Sequence, residues 1–448
     1  MYSLVDLFAG CGGLSLRFEQ AGFQPVFVNE LNDDARATYL CNRSHQLGGL
    51  KFADCKELHS KDANELSKKR LDEVIQHFRN IPEINYTSEK SVNRKSGGGS
   101  NIDVVAGGPP CQGFSGIGHR RNWGVDRKQI PANFLFKRMC FIISNFRPRI
   151  FLFENVRGIL NAHWEGDRTS RVWETILSEF KAIEGYEVRW SLIRSKDYGT
   201  PQNRPRVLLV GIRKDVISNN DKLDLAIDPE DAVKCGFLPA GRPQAYPDLI
   251  DLIGDLIDPE IEEILMTGEY PKGILESTEY PEKQKLTAVQ KLLRRDPKGH
   301  GVKSIQLTDH VYSKHKKHIV QKFHMMQTGA KHLPEHLQTK KFSQRVLPER
   351  WNAAGPNITA TSLPDDYIHF KQPRILTVRE WARLQFFPDW YKFMGKRTTG
   401  GVRRAGNPQQ GIFDREVPKY TQIGNAVPVN LANVVAQHFK EILRQVGR

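Results

Sequence analysis

Long apolar runs are missing from this 448-residue chain: no stretch approaching the roughly eighteen consecutive apolar residues of a membrane-spanning helix occurs anywhere. A charged and then apolar leader is missing as well, because Met1 leads directly into Tyr2-Ser3-Leu4-Val5-Asp6-Leu7-Phe8. The expectation is a protein that neither spans a membrane nor is secreted. Cysteine is scarce, with six residues (Cys11, Cys41, Cys55, Cys111, Cys140 and Cys235) and no C-x-x-C pair. Neither a zinc knuckle nor a disulfide framework is expected, no metal site is assigned, and a reducing, cytoplasmic setting fits. Internal repeats are absent. Negative charge is in deficit: 66 Lys and Arg against 51 Asp and Glu leave a formal charge of +15. Such a surface attracts polyanions, and charge alone does not choose between nucleic acid and an anionic membrane. With 39% hydrophobic and 26% charged residues the composition is globular, and the length allows two or three packed cores.

Short apolar runs alternate with longer amphipathic stretches up to about residue 212. Residues 4–8, 25–28, 102–106, 150–153, 190–193 and 207–212 read as buried strands. That alternation predicts an α/β fold with a doubly wound, mostly parallel sheet. The connection between residues 61 and 102 is long. Its tail, 87–100, ends in Lys95-Ser96-Gly97-Gly98-Gly99-Ser100 and reads as a flexible surface insert. Further along, charge separates: residues 215–290 hold 17 acidic and 6 basic side chains, whereas 291–350 hold 14 basic and 4 acidic. The basic half also contains seven of the fourteen histidines and lacks the strand–helix alternation. It marks a second domain of different, irregular build. Near the end Leu431, Val435, Phe439, Ile442 and Val446 recur at helical spacing and predict an amphipathic helix.

Several clusters carry chemistry. Asp6-Leu7-Phe8-Ala9-Gly10-Cys11-Gly12-Gly13-Leu14-Ser15 places glycines between the first strand and a helix, where backbone can approach a nucleotide-like ligand. The spacing is G-x-G-G with Ser15 following, so the dinucleotide pattern is not met. Glu30 closes the second strand, where a carboxylate can accept from two ribose hydroxyls. A ribose without a pyrophosphate grip suits S-adenosylmethionine better than NAD. Gly107-Gly108-Pro109-Pro110-Cys111-Gln112-Gly113-Phe114-Ser115 follows a later strand, and residues 113–128 combine glycines with Arg120, Arg121, Arg127 and Lys128. Such a loop is suited to closing over a phosphate backbone.

This last motif resembles the nucleophile motif of the DNA (cytosine-5) methyltransferase family. Glu154-Asn155-Val156, Gln202-Asn203-Arg204-Pro205-Arg206, Arg379-Glu380-Trp381-Ala382-Arg383-Leu384-Gln385-Phe386-Phe387-Pro388 and Gln422-Ile423-Gly424-Asn425-Ala426-Val427-Pro428 follow in that family's order. The resemblance implies a methyltransferase fold with a smaller target-recognition domain. We therefore expect a catalytic and cofactor-binding domain of residues 1–214 plus 420–448, and recognition in 215–419. It also implies that Cys111 adds as thiolate to carbon 6 of a flipped-out cytosine, activating carbon 5. A free thiol has a pKa near ~8.5, so nearby positive charge or a helix terminus is expected to help. Glu154, its pKa raised by burial, would protonate ring nitrogen 3. Arg206 would hold the base's carbonyl oxygen, and Arg204 would steady the site around Cys111 and Glu154.

For S-adenosylmethionine the resemblance implies Phe8, Gly10, Gly12, Glu30, Pro109, Asn425 and Val427, with Leu135 as an apolar wall. An Asp near the third strand would meet the adenine amino group, and Asp62 in Asp62-Ala63-Asn64-Glu65-Leu66 fits slightly better than Asp54. The implied partner is duplex DNA, bound by a monomer, with a separately acting restriction endonuclease as the associated activity. One branch of the family acts on transfer RNA; its members are compact, and the long variable stretch 215–350 favours DNA. Within that stretch the basic part should meet the nucleic acid. Lys314-His315-Lys316-Lys317-His318 reads as surface, with Arg294, Arg295, Lys340 and Lys341 flanking it.

Overall fold

The computed structural model describes residues 1–84, 102–110, 131–164, 171–242, 246–281, 285–297, 306–330, 332–338, 344–351, 357–358, 366–399, 403 and 415–446. Seven strands form the main sheet: β1 (Tyr2–Leu7), β2 (Phe23–Asn29), β3 (His59–Ser60), β4 (Val104–Gly107), β5 (Ile150–Val156), β6 (Tyr186–Arg194) and β7 (Pro205–Arg213). Their order is β3-β2-β1-β4-β5-β7-β6. β1 to β5 pair in parallel, and β7 runs antiparallel to both β5 and β6. Each of the six expected runs overlaps a strand. The seventh, β3, has two residues and is too short to show a period.

Side chains of alternate register go to opposite faces of the sheet. Val5, Leu7, Phe151, Phe153, Val207 and Leu209 point into one core, while Leu4, Ile150, Leu152, Leu208 and Val210 point into another. Both faces are therefore apolar, as a sheet covered on both sides requires. The first core is closed by α3 (Lys68–Arg79), α4 (Leu135–Phe146) and α5 (Val172–Lys181). On the opposite side lie α1 (Gly13–Ala21) and a C-terminal helix spanning Val429–Val446. That helix is the expected one. Its Leu431, Val435, Phe439 and Ile442 are buried, and the Phe439 ring meets Phe18 edge-on at 6.0 Å.

Chain order reverses between β1 and β4, so a crevice opens at the carboxyl ends of these strands. Because β7 is antiparallel, its amino end lies at that same edge. Helix α2 (Asp33–Cys41) follows β2 there, capped by Asn32, whose side chain accepts from the Ala35 amide at 3.0 Å.

The expected boundary at residue 214 falls inside the second core rather than at its edge. Val216, Leu223, Ala232, Cys235, Phe237 and Leu238 pack there with the C-terminal helix. Beyond residue 242 the build is irregular, with short helices such as Leu249–Ile253, Ala288–Leu293, Lys317–Gln327 and Val378–Leu384, and a two-strand pair, Arg345–Val346 with Tyr367–Ile368. Here buried ions organise the interior. Arg383 is fully buried, with its guanidinium on Asp255 at 2.5 Å and on Asp389 at 2.6 Å. Burial opposes its charge, but the two carboxylates hold it protonated.

Arg294 joins this network, at 2.5 Å from Asp255 and stacked over the Tyr280 ring at 3.6 Å. The expectation that Arg294 faces nucleic acid is corrected: its charge is neutralised internally, and at 7% exposure it is not a surface cation. Arg295 is exposed. Within the cluster from Lys314 to His318, Lys316, Lys317 and His318 are exposed. Lys314 is exposed as well but donates to the carbonyls of Pro271 and Gly273 at 2.5 and 2.6 Å, and His315 is half-buried. Lys340, Lys341 and the insert 87–100 lie outside the described residues.

Candidate active site

The crevice gathers four of the sequence clusters. The first leaves β1 as a turn in which Phe8, Gly10 and Gly12 all take the left-handed conformation, at φ of 55°, 58° and 85°. Gly12 is required twice over. Besides its positive φ, a Cβ there would lie 2.8 Å from the Tyr391 hydroxyl and 2.9 Å from the Arg43 guanidinium. Beneath the turn Arg43 is buried, stacked 3.3 Å over the Tyr39 ring, and bonded to Ser15 Oγ and Glu19 at 2.7 Å each. Beside them Asp6 is buried, and burial lifts its pKa to about 6 against the opposing effects of Ser15, Arg43 and Tyr39. Cys11 is buried, and burial pushes its thiol up to about 12.

Glu30 stands at the end of β2. One carboxylate oxygen accepts from the Gly10 amide and the other from the Asn32 amide, each at 2.8 Å. Burial raises its pKa, with those amides and Arg36 opposing. The Glu30 amide donates to the Ser60 carbonyl at 3.1 Å, which brings the end of β3 alongside. Asp62 lies two residues past that strand, half-exposed, and accepts from the Asn64 amide at 2.8 Å. Asp54 precedes the strand and is exposed.

At the end of β4, a Cβ on Gly108 would sit 2.8 Å from Glu154 Oε2. Glycine is the residue that lets the chain leaving β4 pass so close to this carboxylate. Asn155 ties the two strands together, its side-chain amide donating to the Pro109 carbonyl at 3.2 Å. Glu154 itself is ion-paired with Arg206 Nε, the two side chains 13% and 7% exposed. Cys111, two residues beyond Pro109, and the loop 113–128 lie outside the described residues. Leu135 opens α4 and is half-buried; nearby a small hollow is lined by Pro109, Pro110, Asn133, Phe136 and Asn155.

Arg204 lies beside the Glu154–Arg206 pair. It is buried, and its guanidinium donates to the carbonyls of Ile358 and of Gly424, the latter at 2.8 Å. Burial and the neighbouring Arg206 depress its pKa, and Glu154 opposes. Its hydrogen bonds tie Ile358 to the final motif, and the Glu154 charge acts on it as well. Gln202 works alongside, donating to the Leu384 carbonyl at 2.8 Å and accepting from the Ile358 amide at 3.0 Å.

In the final motif Asn425 is exposed and Val427 half-buried. The first and last motifs meet: a Cβ on Gly13 would lie 2.9 Å from Ala426 Cβ and 3.2 Å from the Val427 carbonyl. Gln422 adds to this junction, accepting from Thr38 Oγ1 at 2.8 Å. Arg43, Tyr39 and Tyr391 were not singled out by the sequence. An Arg shortly after a helix with Asp33 and Asp34 in its first turn was the available signal, and a weak one.

Against this geometry, the family model for the C-5 cytosine-specific DNA methylases matches residues 2–75 and 63–441. The chain belongs to this family. It is a DNA cytosine-5 methyltransferase, with DNA as its partner and a methyl donor as its cofactor. Similar curated proteins include the type II methyltransferase M.DdeI of Desulfomicrobium norvegicum, 29% identical over 97% of this chain and 88% of that protein. The type II methyltransferase M.BsuRI of Bacillus subtilis is 29% identical over 97% of this chain and 78% of its own length. Among solved structures, a DNA modification methyltransferase encoded within an E. coli prophage matches with a TM-score of 0.61 at 21% identity, over 99% of this chain and all of that one. The mostly parallel sheet expected from strand alternation, and the methyltransferase fold that the resemblance implied, are what is found.

Proposed function

We propose that this methyltransferase takes its methyl group from S-adenosylmethionine and places it on carbon 5 of a cytosine rotated out of a specific duplex DNA sequence, with Cys111 as covalent nucleophile. The observation that carries the reading is the Glu154–Arg206 pair at the carboxyl edge of the sheet, pressed against Gly108 three residues before Cys111. The Cys111 thiolate forms a bond to carbon 6 while Glu154 delivers a proton to ring nitrogen 3, leaving an electron-rich carbon 5. Arg206 holds Glu154 and the base's carbonyl oxygen. Once carbon 5 has taken the methyl group, loss of its proton to a base, departure of Cys111 as thiolate and return of the nitrogen 3 proton to Glu154 restore the aromatic ring.

The site residues fit S-adenosylmethionine. Each Glu30 oxygen takes one backbone amide and keeps a lone pair for a ribose hydroxyl, and the space beside Gly10 is open to 4 Å. When bound, the donor supplies an electrophilic methyl group. Phe8, Gly10 and Gly12 shape its loop, and Asp62, on the β3 side next to Glu30, is assigned to the adenine in preference to Asp54. Pro109, Leu135, Asn425 and Val427 complete the wall.

Catalysis is assigned to residues 1–214 with 420–448, extended by the 216–238 segment that shares their core, and recognition to the remainder up to 419. The enzyme is proposed as a cytoplasmic monomer, and the type II names of the relatives support a separately acting restriction endonuclease as its counterpart. The test is methyl incorporation from tritiated donor into duplex DNA and transfer RNA, by wild type and by Cys111→Ser. Incorporation into DNA alone, lost in Cys111→Ser with cofactor binding kept, is the expected result. Near-normal methylation by the variant, or no covalent trapping on DNA containing 5-fluorocytosine, overturns the covalent reading.

A further inference from the structure

We infer that Tyr391 is a positioning residue for the glycine loop, fixing the methyl-donor site from the chain segment that belongs to the recognition side. The inference rests on the assignment of that loop to the methyl donor. Tyr391 is buried, and its hydroxyl donates to the Cys11 carbonyl at 2.5 Å, between Gly10 and Gly12. No Cβ fits between this hydroxyl, Arg43 and Gly12. The loop therefore has Arg43 and Tyr391 as its floor.

The segment bearing Tyr391 is fastened at both ends. On the catalytic side, Asn42 exchanges two hydrogen bonds with the Lys392 backbone, at 2.8 and 2.9 Å. The Met394 amide donates to Thr38 Oγ1 at 2.8 Å. Gly395 comes so close to Asp34 that a Cβ would overlap it, at 2.4 Å from its carboxyl. On the recognition side, the Asp389 amide donates to the Leu293 carbonyl at 2.8 Å, and its carboxylate takes Arg383 and the Tyr280 hydroxyl. The Phe393 amide reaches Asp309 at 3.3 Å. A shift of the recognition side relative to α2 would thus be felt at the Cys11 carbonyl through one side chain.

Tyr391→Phe tests this. The ring keeps its places against Phe387, Trp390 and Phe393, so the fold survives, and what is lost is the hydroxyl with its bond to Cys11 and its contact with Arg43. Binding of S-adenosylhomocysteine to the purified full chain should weaken about five- to tenfold, the scale of one buried hydrogen bond. KM for the donor should rise in parallel, with kcat at saturating donor within about twofold. Asn42→Ala, which frees the Lys392 backbone, should weaken binding in the same direction. Phe393→Leu is the packing control, because Phe393 shares the aromatic cluster and makes no bond to the loop. It should lower the melting temperature and leave the affinity alone. Unchanged affinity in Tyr391→Phe, or an equal loss in Phe393→Leu, overturns the inference. A wild-type chain that does not bind S-adenosylhomocysteine overturns the cofactor assignment itself.

Discussion

Arg206 reaches diagonally across the β5–β7 ladder to Glu154. Register pairs Arg206 with Val156 and Leu208 with Glu154, so Arg206 and Glu154 share a face two positions apart, within reach of a long side chain. An antiparallel β7 is what makes this possible, since it brings the start of that strand to the edge where the parallel strands end. The pair is nearly shielded from water, and removing one partner leaves a poorly solvated charge. Arg206→Ala should therefore cost up to about 3 kcal/mol of stability in urea unfolding. Glu154→Gln removes the proposed proton carrier while keeping the shape, and its kcat should fall about 10²- to 10⁴-fold with cofactor affinity kept. A single-turnover assay with a binding measurement separates these outcomes. Glu154→Gln turning over like wild type would sink the acid role.

Arg383 sits among Asp255, Asp389 and, through Asp255, Arg294. Its loss leaves Asp255 with Arg294 alone and takes from Asp389 the guanidinium that holds its charge in a buried interior. Arg383→Ala should be destabilised by at least about 3 kcal/mol. Arg295→Ala, at an exposed neighbouring position, should stay within about 0.5 kcal/mol. Equal melting temperatures for the two would remove the network from its structural role.

These cases mark what the sequence could reveal. The strands were legible because alternate residues feed two cores, and Val5 and Leu7 against Leu4 write that alternation into the chain. Glu154 and Arg206 were legible as members of short motifs. Tyr391 was not, because its contact to Cys11 spans 380 positions and leaves no local period. Arg294 was misread for a related reason: an arginine looks solvated until its partner Asp255, 39 positions earlier, is brought beside it. Residue 214 looked like a boundary because helix–strand alternation stops there, yet Phe237 and Leu238 pack into the sheet's core without forming regular elements.

Asp6 gives a pH dependence. Burial raises its pKa from an ordinary 3.8 to about 6, with Ser15, Arg43 and Tyr39 opposing and Glu19 reinforcing. The native state then holds a proton that the unfolded chain releases, so this contribution to stability is full below pH ~4 and is lost as pH rises through about 6. Its size is at most about 3 kcal/mol. Asp6→Asn has no proton to lose. The stability of Asp6→Asn relative to wild type should increase from pH 4 to pH 6.5 and level off above. Parallel urea titrations across that range measure it, and a flat difference would mean Asp6 is not protonated in the folded protein.

Nucleic-acid contact should fall on the cations that the fold leaves without internal work. Lys314 is spent on the Pro271 and Gly273 carbonyls, and Arg294 on Asp255. Lys316 and Lys317 are exposed, and they open the helix Lys317–Gln327. A helix amino end also presents backbone amides, which adds to the attraction for phosphate. If both lysines meet phosphates, Lys316→Ala with Lys317→Ala should weaken binding to all duplex sequences alike. The slope of log affinity against log salt should become shallower by about 1.8, roughly 0.9 for each phosphate released. Target discrimination should persist, because phosphate contacts carry no base information. Arg295→Ala distinguishes a base contact from a backbone one: loss of preference at one position, worth about 1–3 kcal/mol, indicates base reading, and a change in salt slope alone indicates phosphate. Fluorescence anisotropy on cognate and scrambled duplexes from 50 to 200 mM salt, on the order of the range where such slopes are steep, reads all three. An unchanged slope in the double lysine variant would move the DNA interface away from this helix.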